Sequence, residues 1–189
     1  MNKLPIITLI IALAAGFASC NKDDDDSLSN IYSRYEEWRE ENDMWLEQQL
    51  VRTNPDGTPY FEKVVPSWNP AAYVLIHYFN DRSETAGNIS PLSTSTIDTR
   101  YYLTYCNGTP IDSSYLQTKN GAGIFRCKLN EVIEGWTMAF ETMHVGDTAE
   151  LVIPYQSGYG VSTSSGILPY SNMKYNVRLV GVPYYEREP

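Results

Sequence analysis

Basic side chains are scarce in this chain of 189 residues: 14 Lys and Arg stand against 23 Asp and Glu, a formal charge of −9. Nucleic-acid binders need a clustered basic face, so no nucleic-acid partner is expected. Histidine is scarcer still, with two, and three cysteines complete a poor stock of soft ligands. Neither His77 nor His144 has a cysteine or second histidine at metal-ligand spacing, so both read as structural and no metal is expected. A G-x-S-x-G elbow, a P-loop and a dinucleotide fingerprint are also missing. Gly121-Ala122-Gly123 lacks a following helix pattern and reads as a loop. Acid–base, covalent and metal mechanisms therefore have no machinery here, and no cofactor is expected. Aromatic side chains, by contrast, are abundant, with 15 Tyr and 4 Trp. They exclude a disordered chain, and the length suffices for one domain with a sizeable core.

Residues 1–19 read as a secretory signal. Lys3 supplies the positive start, Ile6 to Ala15 an apolar stretch too short for a comfortable membrane span, and Gly16, Ala18 and Ser19 the small residues of a cleavage site. Phe17-Ala18-Ser19-Cys20 resembles a bacterial lipobox, with Phe17 in place of the usual aliphatic residue. The resemblance implies acylation of Cys20 and a lipid anchor in the cell envelope, expected at the outer membrane; several acyl chains anchor stably where one is marginal. The acidic stretch after it, in a linker of residues 20–27, has two readings. It is a solvated spacer kept extended by like charges, or it is similar to the surface-export tag of Bacteroidota lipoproteins. The leaflet stays open between them.

Ser27 to about Val51 has helical spacing, with Leu28, Ile31, Tyr35, Trp38 and Trp45 on one face and Ser27 or Ser29 as its cap. Packing on its own domain is the expectation for this helix, and homodimerisation through it the alternative. Turn chemistry from Thr53 to Pro59 closes this N-terminal unit of residues 28–59. Strand patterns follow at Tyr60–Val65, Ala72–Phe79, Ile97–Tyr105, Ile124–Leu129, Thr148–Pro154 and Met173–Val182. Asp81–Ser95 is polar and loop-like, and Asn107-Gly108 a tight turn. Val132–Met143 is a short amphipathic helix, with Gly146 expected to cap it. Many strands around one helix predict an α+β domain with an antiparallel sheet over residues 60–185. Cys106 and Cys127 are either a disulfide or two buried thiols.

Around the short helix the order of residues becomes specific. Val132-Ile133-Glu134-Gly135-Trp136, Met143, Gly146, Ile153-Pro154, Tyr159-Gly160 and Ile167-Leu168-Pro169 follow one another, with Tyr101, Gly108 and Asp112-Ser113-Ser114 upstream. This set resembles the FKBP-type peptidyl-prolyl cis-trans isomerases. The resemblance implies a twisted antiparallel half-barrel sheet wrapped around the helix, with a pocket between them and proline-containing peptides or unfolded proteins as partners.

Carried over residue by residue, it implies Trp136 as the pocket floor and Tyr101, Phe125, Val132, Ile133 and Tyr175 as walls. A register shifted by two would put Gly123 in the place of Phe125. Ile133 would offer its backbone N–H, and Tyr159 its hydroxyl, to substrate carbonyls. Asp112 would sit at the edge, and Ile167 would close the pocket from the last loop. Ile111 and Leu168 would contact substrate. Ile111 stands where the family carries Phe, and Tyr175 replaces a usual Phe. Because such a pocket acts by desolvating an amide, missing acid–base machinery agrees with it. The implied function is prolyl isomerisation assisting the folding of envelope or surface proteins. The alternative is a non-catalytic peptide-binding or chaperone module on the same fold. A glycan-binding surface built on exposed tyrosines is the third reading.

Overall fold

The computed structural model describes residues 28–163 and 165–185; the signal segment, Cys20 and the acidic linker lie outside the described residues. The N-terminal pattern folds as two helices where the spacing predicts one. These are α1 (Leu28–Arg34) and α2 (Glu36–Leu50), separated at Tyr35. Hydrogen bonds run through the break, from Tyr35 N–H to Ile31 O and from Arg39 N–H to Tyr35 O, so it is a kink and not a loop. Neither Pro nor Gly lies there, and nothing in that turn's sequence explains it. Of the expected apolar face, Ile31 is buried and Trp38 and Trp45 half-buried, but Leu28 is 68% exposed.

Seven strands form one antiparallel sheet: β1 (Glu62–Val64), β2 (Val74–Tyr78), β3 (Thr96–Tyr105), β4 (Pro110–Ser113), β5 (Phe125–Lys128), β6 (Thr148–Ile153) and β7 (Met173–Tyr184). Their order is β1-β2-β6-β7-β3-β4, with β5 also paired to β3. In β3 and β7 buried and exposed residues alternate, so Ile97, Thr99, Tyr101 and Leu103 share one face with Met173, Tyr175, Val177 and Leu179. The remaining helix, α3 (Glu134–Thr142), packs on that face and completes the α+β fold. It is shorter than the expected Val132–Met143, because Val132 and Ile133 are extended after a 3-10 turn at Leu129–Glu131, and Met143 is extended at the other end. Gly135 lets α3 approach β6 closely: a Cβ there would meet Ile153 Cγ2 at 2.5 Å.

The expected cap at Gly146 is displaced. Met143 ends α3, and Gly146, at φ +103°, serves the following turn, closed by Asp147 N–H to His144 O. β4 was not foreseen in the sequence, although the turn that feeds it was: Gly108, at φ +83°, donates to Tyr105 O.

α2 packs on its own domain. Trp45 and Leu46 cover a small second core of Phe61, Leu75 and Val152. Trp38 meets the Tyr105 ring edge-on at 5.3 Å and donates to Ser171. Asn42, fully buried, accepts from Asn172 N–H through its side chain and from Asn172 Nδ2 through its backbone carbonyl. His77 stacks on Tyr60 and bonds its carbonyl, so it is structural. Cys106 and Cys127 are free thiols. Cys127 pairs opposite Ile97 while Cys106 follows the far end of β3, so roughly 30 Å of strand separates them.

Candidate active site

Register brings the site together. Leu103 pairs with Tyr175, Tyr101 with Val177 and Thr99 with Phe125, so Tyr101 is the diagonal neighbour of both Tyr175 and Phe125 on one face. α3 lays Trp136 beneath them. Its ring lies 5.3 Å from Tyr101, 5.5 Å from Tyr175 and 5.9 Å from Phe125, each contact close to perpendicular. Such edge-to-face packing fixes ring orientation as well as burying area. The rings line a cavity of about 470 Å³, ample for a proline and the residue before it.

The Asp112-Ser113-Ser114 segment holds this wall in place. Tyr101 donates its hydroxyl to Asp112 Oδ2 at 2.5 Å. Ser114 Oγ accepts from Tyr101 N–H and donates to Gly123 O, tying β3 to the chain entering β5. Burial first, and then the Asp112 carboxylate, push the Tyr101 phenol well above its usual value. Burial, with the Tyr159 and Tyr101 hydroxyls, does the same to Tyr175. Both phenols stay neutral donors throughout the physiological range.

Val132, Ile133, Tyr159 and Asp112 also line the cavity, as does Phe125, while Gly123 does not. Ile133 is extended and caps α3, its carbonyl accepting from Trp136 N–H. Among the described residues nothing accepts the Ile133 N–H. Tyr159 follows the 3-10 turn Tyr155–Ser157 and is 38% exposed, at the mouth. The buried Trp136 indole N–H has no hydrogen-bond partner of normal geometry.

Three anticipated residues lie elsewhere. Ile111 and Ile167 are half-buried against the main core, and Leu168 is largely exposed; none lines the cavity. The β3–β4 register shifts at Ile111, between the Leu103–Asp112 and Thr104–Pro110 pairs; Asp112 lines the cavity and Ile111 packs on the main core. Leu103 and Glu131 line it unforeseen. Leu103 was within reach, standing two residues from Tyr101 on the same strand. Glu131 lies in the 3-10 turn, which has no pattern of its own. Among the described residues no cluster of His, Cys, Asp or Glu is arranged to hold a metal, and no helix is long and apolar enough to cross a membrane.

Comparison with known proteins agrees with this geometry. Residues 87–180 match the model of the FKBP-type peptidyl-prolyl cis-trans isomerase family. FK506-binding protein 1 of Dictyostelium discoideum is 36% identical over 87 residues, 46% of this chain and 78% of that protein. The macrophage infectivity potentiator of Trypanosoma cruzi is 35% identical over 98 residues, 51% of this chain; the chain spans about half of its length, 48%. The crystal structure of Escherichia coli FkpA superposes with a TM-score of 0.63 at 21% identity, covering 84% of this chain and 67% of that one, which shows the shared fold. The chain belongs to the FKBP-type peptidyl-prolyl cis-trans isomerase family.

Proposed function

We propose that this chain catalyses cis–trans isomerisation of Xaa-Pro bonds in protein clients of a bacterial cell envelope, held there by an acylated Cys20. The observation that carries the reading is the aromatic cavity, floored by Trp136 and walled by Tyr101, Phe125 and Tyr175. Rotation about an Xaa-Pro bond is opposed by a barrier of about 20 kcal/mol that arises from amide resonance. Water stabilises the charge separation of the planar amide, and the twisted form largely loses it. An apolar cavity therefore costs the planar form more than the twisted one, and the barrier falls without a nucleophile or charged acid. Each ~1.36 kcal/mol of preference for the twisted form is tenfold in rate.

In this reading Trp136 carries the proline ring, with Val132, Phe125 and Tyr175 around it. The Ile133 N–H and the Tyr159 hydroxyl hold the carbonyls flanking the bond. Asp112 acts through Tyr101, fixing its ring. The unoccupied Ile133 N–H supports that assignment, since a backbone donor beside an apolar cavity needs an acceptor.

The test is isomerisation of short Xaa-Pro peptides by the protein beside Phe125→Ala and Tyr159→Phe. Acceleration that falls about tenfold in Phe125→Ala and about fivefold in Tyr159→Phe is the expected result. Peptide binding without acceleration would assign the cavity to a non-catalytic peptide-binding module. Mass spectrometry of the N-terminal peptide from the expressing cell's envelope reads acylation of Cys20, and an unmodified cysteine would remove the anchor.

A further inference from the structure

Beside the aromatic cavity lies a second one of about 350 Å³, which shares Val132 as a wall. Its other sides come from Trp68, in the connection between β1 and β2, and from Glu134, at the first turn of α3. Trp68 is 59% exposed, yet its ring is not loose: the indole N–H donates to Glu134 Oε1 at 3.2 Å. Asn69 Nδ2 donates to the same oxygen at 3.3 Å. Glu134 lines the groove, and among the described residues its Oε2 takes no hydrogen bond.

Charge along this path has one sign. Asp112 and Glu131 line the first cavity and Glu134 the second, while neither is lined by Lys, Arg or His. An ordered aromatic face beside a half-used carboxylate suits a cation with an aliphatic stem. The ring attracts the charge through its quadrupole, the carboxylate pairs with it, and the stem lies on Val132. An extended chain advances about 3.3 Å per residue, so a side chain two or three residues from the proline crosses the one-residue wall.

We propose that the groove between Trp68 and Glu134 is a second subsite for the same client chain, taking a lysine or arginine two or three residues from the isomerised proline. This rests on the isomerase reading for the placement of the proline and adds a substrate preference to it. The two are separable by experiment. Peptides with uncharged ends and one Xaa-Pro bond carry lysine, norleucine or glutamate two or three residues before or after the proline.

The expected result is a kcat/KM about fivefold higher for lysine than for norleucine on one side of the proline, carried by KM and shrinking as ionic strength rises. Glutamate should rank last. Trp68→Ala and Glu134→Gln should each reduce the difference between lysine and norleucine while leaving turnover of the short peptide unchanged. In the wild-type protein the Trp68 indole N–H resonance should shift with the lysine peptide. If the short peptide is turned over but lysine and norleucine behave alike, the subsite is overturned and the isomerase reading stands. If no peptide is turned over, a lysine-dependent shift of the Trp68 resonance still supports the subsite, and its absence overturns it.

Discussion

The two ends of α3 are built on opposite principles. At its N-terminal end Trp136 and Ile133 line the aromatic cavity, and among the described residues nothing accepts the Ile133 N–H. At its C-terminal end a fully buried carboxylate, Asp147, accepts three hydrogen bonds and pairs with a cation. Oδ1 accepts from Asn80 Nδ2 and Thr85 Oγ1, and Oδ2 from His144 N–H, with Arg82 Nε at 3.4 Å. Arg82 in turn donates to Thr142 O and to His144 Nδ1. A donor beside a cavity is left for water or a ligand to satisfy, whereas a densely bonded network holds the fold. On the proposed function, the difference separates the end of the helix that meets the peptide from the end that anchors it. It also gives the polar segment after β2 a role, since Asn80, Arg82 and Thr85 clamp that segment onto the turn before β6.

The strongest way to break this comparison is Asp147→Ala. It removes the acceptor of the Asn80 amide, the Thr85 hydroxyl and the His144 N–H and the counter-ion of a half-exposed Arg82, a loss of about 2–3 kcal/mol. Urea unfolding should show that loss while the folded fraction keeps its isomerisation rate. An equal loss of rate would mean that the two ends are coupled through α3. Next in size is Asn42→Ala, which removes the side-chain acceptor of Asn172 N–H inside a dry contact and should cost about 2 kcal/mol. Because Ser171 and Asn172 end the loop that carries Tyr159, this variant should also raise KM about twofold for short peptides. An unchanged KM would show that α2 stabilises the domain without positioning the mouth of the cavity.

Legibility in the sequence followed the physics of each part. β3 and β7 announce themselves by strict alternation, as in Ile97, Thr99, Tyr101 and Leu103, and the register of those two strands alone places Tyr101 beside Tyr175. β4 is four residues long and contains Pro110 and Asp112, which suppress any strand signal; a short partner hydrogen-bonded along one side tolerates both. The kink at Tyr35 has no breaker residue to signal it. Trp136 and Tyr159 stand in the ordered motif set, which describes a strand–helix–strand surface as a whole, whereas Phe125 and Gly123 could not be told apart without the register of β5. Ile167 and Leu168 sit in a loop, where order along the chain says little about direction, and neither lines the cavity. The Asp147 network was invisible for a different reason. Apart from the His144 N–H, its partners Asn80, Arg82 and Thr85 come from more than 60 residues away and share no period, so only the folded chain brings them together.

The smallest effect, and the one that most sharpens the comparison, is in the pH dependence. Burial alone would raise the Asp147 carboxyl. The His144 N–H, Thr85 and Asn80 hydrogen bonds and the Arg82 charge outweigh burial and hold it below its usual 3.8. A carboxyl lowered in the folded state contributes stability that is present above its unfolded value and lost as pH falls through the folded one. Unfolding free energy should therefore hold on descent to about pH 4 and then fall, and Asp147→Asn should flatten that acid limb. The cavity has no counterpart to this. No histidine lines it, and its Tyr101 and Tyr175 phenols are both displaced upward from 10.0, so neither changes charge near neutrality. Isomerisation by folded protein should accordingly be level from about pH 6 to about 9. A bell-shaped profile in that range would show a proton moving in the rate-limiting step. Desolvation of the amide has no place for such a proton, so that result would reject the mechanism even if the enzyme were active.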